Sequence, residues 1–236
     1  MRKLLALLAV VPGLVFATDG RAASLQVSPV SVDLTAPAQA SSVNLRNNGD
    51  RPVNVQIRVY KWTQSGGEDQ LTPARDVVAS PPAAALQPGT TYTIRVARTA
   101  APVTSGEDSY RLLIDELPEV NVRRPAGSVN LVIRYSIPVF FADRAAGAEL
   151  RWDVRRDGGS LVVEATNTGS RHAKIANLTV ASPAGQVAFG QGLNGYVLPG
   201  ATRRWTAPGA RIQPGSGVTI TAKGDDYAVN QTATVR

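Results

Sequence analysis

The chain has 236 residues, a formal charge of +7, one histidine and no cysteine. Lack of cysteine excludes disulfides, thiol chemistry and Cys-based zinc sites, so stability has to come from packed apolar cores. Its arginines are scattered, as in Arg46, Arg51, Arg58, Arg75, Arg95 and Arg98, without the basic cluster and interleaved aromatics that nucleic-acid binding would require.

From the N-terminus, Arg2 and Lys3 precede an apolar run over residues 4–16, and small residues follow around Gly20, Ala22 and Ala23. That order reads as a signal peptide over residues 1–22, cut after Ala22 or Ala23. The run is interrupted by Pro12 and Gly13 and is shorter than the roughly 20 residues of a membrane-spanning helix. No later run is long enough either, so stable membrane insertion is not expected. About 210 residues remain, enough for two domains of roughly 100 residues that each bury a core.

Beyond residue 24 the pattern is of short alternating runs of Val, Ile, Leu and Tyr between clusters of Gly, Pro, Asn and Asp, which predicts an all-β sandwich architecture. Strands are expected over 25–32, 42–47, 53–62, 91–96, 109–117 and 129–141. Turns are marked by Asn48-Gly49-Asp50, Gly66-Gly67 and Pro88-Gly89. The small and charged stretch from Ala142 to Ala148 breaks the pattern, dividing a first domain, 23–143, from a second, 148–236. In the second, strands are expected over 150–155, 160–167, 173–182, 202–206 and 218–222. No repeat of solenoid period stands out.

Residues 128–141 are the most informative stretch. In a strand, Val129, Leu131, Ile133, Tyr135, Ile137, Val139 and Phe141 point one way, while Ser128, Asn130, Arg134 and Ser136 point the other. A run this long exceeds the usual strand of about 5–6 residues. It is either a covered central strand or an edge kept open for a partner. Arg111 sits in the preceding strand, facing away from Leu112 and Ile114. Two arginines in neighbouring strands can clamp a carboxylate through paired hydrogen bonds, or can each pair with a local acid such as Asp115, Glu116 or Asp143.

Several pieces together resemble the periplasmic, PapD-like chaperones of chaperone–usher pilus assembly, and within them the archaic branch that serves spore-coat-U-like subunits. They are Ser80-Pro81-Pro82, Leu86-Gln87-Pro88-Gly89 followed by Arg95, residues 110–118, the 129–141 run and Gly195-Tyr196-Val197-Leu198-Pro199-Gly200. The resemblance implies a boomerang of two immunoglobulin-like domains in the periplasm that holds pilus subunits by strand donation and passes them to an outer-membrane usher. Val129, Leu131 and Ile133 are then the donors to the subunit groove, and an open strand also gives the free protein a reason to self-associate. Many members carry basic anchors near the places held here by Ser28-Pro29-Val30 and Ser136-Ile137-Pro138. The resemblance passes anchoring of the subunit's terminal carboxylate to Arg111 and Arg134.

Neither an enzyme nor a cofactor or metal site is expected. The sole histidine, His172, lies in the turn-like Thr168-Gly169-Ser170-Arg171-His172 and reads as a loop residue. Asp115-Glu116 and Asp225-Asp226 are sequence neighbours, which in a strand point to opposite faces and make poor carboxylate pairs. Phosphate-cradling glycine motifs and metal-ligand spacings are missing. The rival reading is a structural or adhesive β-sandwich subunit of a surface fibre. A subunit would place a donor extension ahead of one incomplete domain, whereas strand-like sequence here starts at Leu25 and two domains follow.

Overall fold

A computed structural model describes residues 25–118, 132–224 and 228–236. The expected signal segment, 1–22, Val129 and Leu131 of the expected donor run, and the acid pair Asp225-Asp226 lie outside these residues. The first half contains β1 (Leu25–Ser28), β2 (Val32–Thr35), β3 (Ala40–Asn47), β4 (Val53–Ser65), β5 (Glu68–Pro73), β6 (Val77–Ser80), β7 (Ala83–Leu86), β8 (Thr91–Arg98), β9 (Glu107–Glu116) and β10 (Arg134–Ala142). The second contains β11 (Leu150–Asp157), β12 (Ser160–Asn167), β13 (Ala173–Ser182), β14 (Gly185–Ala188), β15 (Leu193–Val197), β16 (Thr202–Pro208), β17 (Gly217–Lys223) and β18 (Ala228–Thr234). No helix among the described residues is long and apolar enough to cross a membrane.

Each half is a pair of facing sheets. In the first, β1-β3-β8-β6 packs on β2-β10-β9-β4-β5, with β7 also paired to β4. Val43, Leu45, Ile94 and Val96 from one sheet meet Val55, Ile57, Leu112, Ile114, Ile137 and Val139 from the other in a single core. In the second, β11-β12-β16 faces β14-β13-β17-β18, with β15 on β13, and Leu161 and Val163 pack with Ile175, Leu178, Val180 and Ile220. Period-two alternation drives both, because each strand buries one face and leaves the other to water or to the opposite half.

The expected strand over 25–32 is divided. Its first part, β1, pairs with β3, whereas β2 pairs in parallel with β10 in the other sheet. Pro29 stands between them, and, lacking an N–H to donate, it favours a break in the strand at this point. The chain therefore crosses from one sheet to the other at the rim of the sandwich.

Both halves are closed by the same corner, a relation that strand spacing does not reveal. Asn47 is fully buried; its Nδ2 donates to the carbonyls of Arg51 (2.7 Å) and Leu86 (3.0 Å), and its Oδ1 accepts from Gly49 N (2.9 Å). Asn167, equally buried, donates to the carbonyls of Arg171 (2.7 Å) and Val197 (3.0 Å) and accepts from Gly169 N (3.0 Å) and Glu149 N (3.2 Å). The partners continue in step: Asn47 N donates to Thr90 O and accepts Gly89 N on its carbonyl, as Asn167 does with Ala201 and Gly200. Asn-x-Gly-x-Arg followed by a Pro-Gly turn is the shared signature, at 47–51 with 88–89 and at 167–171 with 199–200.

The second corner also fastens the connector. Gly147 O accepts from Ser170 N (2.8 Å) and Arg171 N (3.1 Å), and Thr168 N donates to Glu149 O (2.8 Å). A Cβ on Gly169 would overlap the backbone of Gly147 and Glu149, so the close approach requires glycine here. On the other side, Asp143 accepts from Gly106 N and Ala145 N through its carboxylate. Asn47→Ala and Asn167→Ala should each destabilise the protein by roughly 2–4 kcal/mol, because several buried backbone groups lose their partner at once. Urea unfolding measures this, and an unchanged midpoint for both variants would show that the corners carry no stability.

Candidate functional site

β10 has two neighbours for only part of its length. β9 pairs with it antiparallel from Arg134 to Ala142, whereas β2 joins on the other side only from Val139 to Ala142. Among the described residues, Arg134 to Pro138 therefore present an open edge. Glu116 N donates to Ile133 O at 3.0 Å, which makes residues 133 and 116 a hydrogen-bonded pair of the ladder. Odd-numbered backbone groups of β10 then point to β9 and even-numbered ones away from it. Ala142 O, which accepts from Ala36 N at 2.8 Å on the β2 side, fits that parity. The backbone of Arg134 and Ser136 is thus free to pair with an incoming chain, and Pro138, without an N–H, ends the row of donors.

The side chains divide as alternation requires. Tyr135 and Ile137 turn inward onto the first core, and Tyr135 Oη donates to Leu25 O at 2.7 Å. Ile133, on the same parity, is only half-buried, and its neighbour Val132 is 49% exposed. An apolar row thus runs off the end of its own core. Leu117, 43% exposed, lies at the same end of the sheet.

On the outer face of this sheet, Arg134 and Arg111 occupy different environments. Arg134 stands opposite Asp115 and Arg111 opposite Pro138, a separation of about 13 Å along the strands at ~3.3 Å per residue. Arg134, with its side chain 61% exposed, is hydrogen-bonded to Asp115, which also takes Arg58. Arg111 is half-buried, with its guanidinium 3.6 Å above the Trp62 ring and 5.6 Å from that of Tyr196. Among the described residues no carboxylate lies within ion-pair distance of it. In these conformations the two guanidiniums do not converge on one point.

The adjacent acids Asp115 and Glu116 face opposite ways and titrate in opposite directions. Burial would raise Asp115, but the hydrogen bonds and charges of Arg134 and Arg58 outweigh it and hold the carboxyl below its ordinary range. Glu116 points inward beneath the open edge, and burial pushes it up, offset in part by the Ile133 backbone N–H. One of its oxygens is buried without a partner among the described residues.

Arg111 lies where the halves meet. Trp62 and Phe140 from the first half pack with Tyr196, Leu198 and Ala201 from the second. Gln64 bridges the junction: its Nε2 donates to Tyr196 O (3.0 Å) and its Oε1 accepts from Leu198 N (2.9 Å). His172 is not a surface-loop residue. It is 8% exposed, stacked on Phe140 at 3.5 Å, with Nδ1 2.7 Å from Oε2 of the fully buried Glu107 side chain. Arg171 reaches Asp33 at 2.9 Å, and Arg203 reaches Asp69 at 3.3 Å. The sequence offered one signal for this junction, the second Asn-x-Gly-x-Arg corner, which carries Arg171 and His172. Among the described residues no group of three or more His, Asp or Glu side chains is arranged to hold a metal ion.

Residues 24–145 match the family described as pili and flagellar-assembly chaperone, PapD N-terminal domain. No curated protein matches the chain. Among solved structures it is similar to a chain of the CsuC–CsuE chaperone–tip adhesion subunit pre-assembly complex from the archaic chaperone-usher Csu pili of Acinetobacter baumannii, at 24% identity and a TM-score of 0.67, over 90% of this chain and 98% of that one. The YadV chaperone follows at 16% identity and a TM-score of 0.64, over 90% and 100%. A chain of the Salmonella enterica SafA pilin–SafB chaperone complex gives 20% identity and a TM-score of 0.63, over 90% and 98%.

The Glu116 environment makes a prediction about pH. A carboxyl whose pKa rises on folding contributes stability below its unfolded value, and that contribution is lost as pH rises through the folded value. Glu116→Gln, which removes the charge and keeps the shape, should therefore raise the urea midpoint at neutral pH and lose that advantage below about pH 4, where the native carboxyl is itself neutral. Equal midpoints for the two proteins at both pH values would refute the assignment.

Proposed function

Because the chain belongs to the pilus and flagellar-assembly chaperones, we propose that it captures pilus subunits in the periplasm by lending the open edge of β10 to their unfinished sheet, and delivers them to an outer-membrane usher. The observation that carries this reading is the edge from Arg134 to Pro138: a backbone with a neighbour on one side only among the described residues, continuing an apolar row that overruns its own core. Such an edge is an aggregation hazard unless a partner strand uses it. A chaperone role of this kind is non-enzymatic.

Residues 1–22 act in this reading as the export signal, and 23–143 and 148–236 as the two immunoglobulin-like domains. Val129, Leu131 and Ile133 enter the subunit groove; burying Ile133 alone contributes about 1.5–3 kcal/mol before association costs. Arg111 and Arg134 anchor the subunit's terminal carboxylate. Support for Arg111 is a half-buried guanidinium at the junction of the halves without an internal carboxylate among the described residues. Arg134 would have to divide itself between the carboxylate and Asp115.

Ile133→Asp should abolish co-purification with a co-expressed subunit from the same assembly system while leaving the exported chaperone soluble. Wild-type recovery of the complex would overturn strand donation. Arg111→Ala should weaken capture by about tenfold or more, the value of one charge-assisted pair, with a smaller loss for Arg134→Ala. Unchanged recovery in both would remove the anchors and leave the strand reading standing.

A further inference from the structure

Arg111 is held differently from the paired arginines among the described residues. Arg58 and Arg134 bind Asp115, Arg98 binds Asp108, Arg171 binds Asp33, Arg203 binds Asp69, and Arg155 and Arg204 share Glu164. Arg111 instead has its guanidinium carbon 3.6 Å from the centre of the Trp62 ring. Stacking restrains the plane of a guanidinium while leaving its in-plane N–H groups unspent, whereas a carboxylate partner would consume them.

The platform is itself immobilised. Trp62 is 2% exposed, tilted against Phe140 at 5.9 Å and edge-on to Tyr196 at 5.7 Å. Phe140 in turn stacks on His172. The indole Nε1 is buried without an acceptor among the described residues, so packing rather than a hydrogen bond fixes the ring. A column of rings thus runs from the His172–Glu107 pair to the guanidinium, with members from both halves.

We propose that Trp62 is the positioning residue for Arg111, its indole face holding the guanidinium in the junction with the hydrogen-bonding edge open to one terminal carboxylate of a bound chain. This deepens the anchoring role of Arg111 and rests on it. Burial lowers the Arg111 pKa, with Arg203 adding to the effect and the charges of Asp69 and Tyr196 opposing it, as suits a cation whose counter-ion arrives with the ligand. Tyr196 sets the far wall, so the receptor is complete only when the two halves are docked.

The test compares a short acetylated peptide of alternating valine and threonine ending in a free carboxylate with its C-terminal amide, each titrated against the full exported chain. Wild type should bind the acid form about tenfold more tightly than the amide. Trp62→Leu should bring that ratio close to one with little change for the amide, and Trp62→Phe, which restores an aromatic face, should recover most of it. A Trp62→Leu protein that keeps the wild-type ratio, or loses both peptides equally, overturns the proposal while Arg111→Ala still reports on the anchor itself. Absence of any acid–amide difference in wild type would instead defeat the anchor reading on which it rests. Should Trp62→Leu fail to fold, a Trp152→Phe/Trp205→Phe protein leaves Trp62 as the sole tryptophan, to be excited selectively over the tyrosines. Its emission should respond to the acid peptide, lose that response on Arg111→Lys, and contradict the proposal if acid and amide act alike.

Discussion

The structure depends on one unevenly satisfied strand. A sheet's polar backbone must be paired or hydrated, and a strand whose neighbour stops short leaves a template for another chain. β2 supports β10 only over its last residues, because the preceding segment, β1, pairs in the opposite sheet. The opening beside Arg134 and Ser136 is therefore a consequence of how the first strand is divided. The same division leaves Ile133 beyond the core that Ile137 and Val139 fill, so polar pairing capacity and apolar surface are exposed on the same short segment.

The opposite end of β10 has the opposite character. Phe140, one residue past the onset of β2 pairing, is fully buried between Trp62, Tyr196 and His172. One strand thus joins an open edge to a closed junction within its own short length. The connector is stitched at Asp143 and at the Gly147–Ser170 contact, and Gln64, Arg171 and Arg203 bind across the halves. The junction combines buried stacking with paired charges, so separating the halves would expose Glu107 and His172 as well as three aromatic rings. That cost favours a fixed relation between the open edge and Arg111.

The repeated asparagine corner shows that each half solves one problem in the same way: a buried turn whose backbone groups find a single side chain able to donate twice and accept at once. In the first half this corner is turned to solvent at Arg51. In the second its arginine and the histidine after it are used to grip the first half. One local design thus serves only stability in one place, and stability together with docking in the other.

Period-two alternation is a local property, and its consequences were determined by the sequence alone: the all-β class, the two successive sets of strands, the inward set Tyr135, Ile137, Val139 and Phe141, and the outward facing of Arg111 and Arg134. Alternation does not determine which neighbour each outward residue meets, because lateral pairing joins positions far apart in the chain. Only the tertiary structure decided that Arg134 falls to Asp115 and Arg111 to Trp62, that His172 is buried against Glu107, and that β2 begins beside β10 only at Val139. Each of these depends on strand order and register, which bring together groups from distant segments and from both halves, and no spacing along the chain encodes such meetings directly.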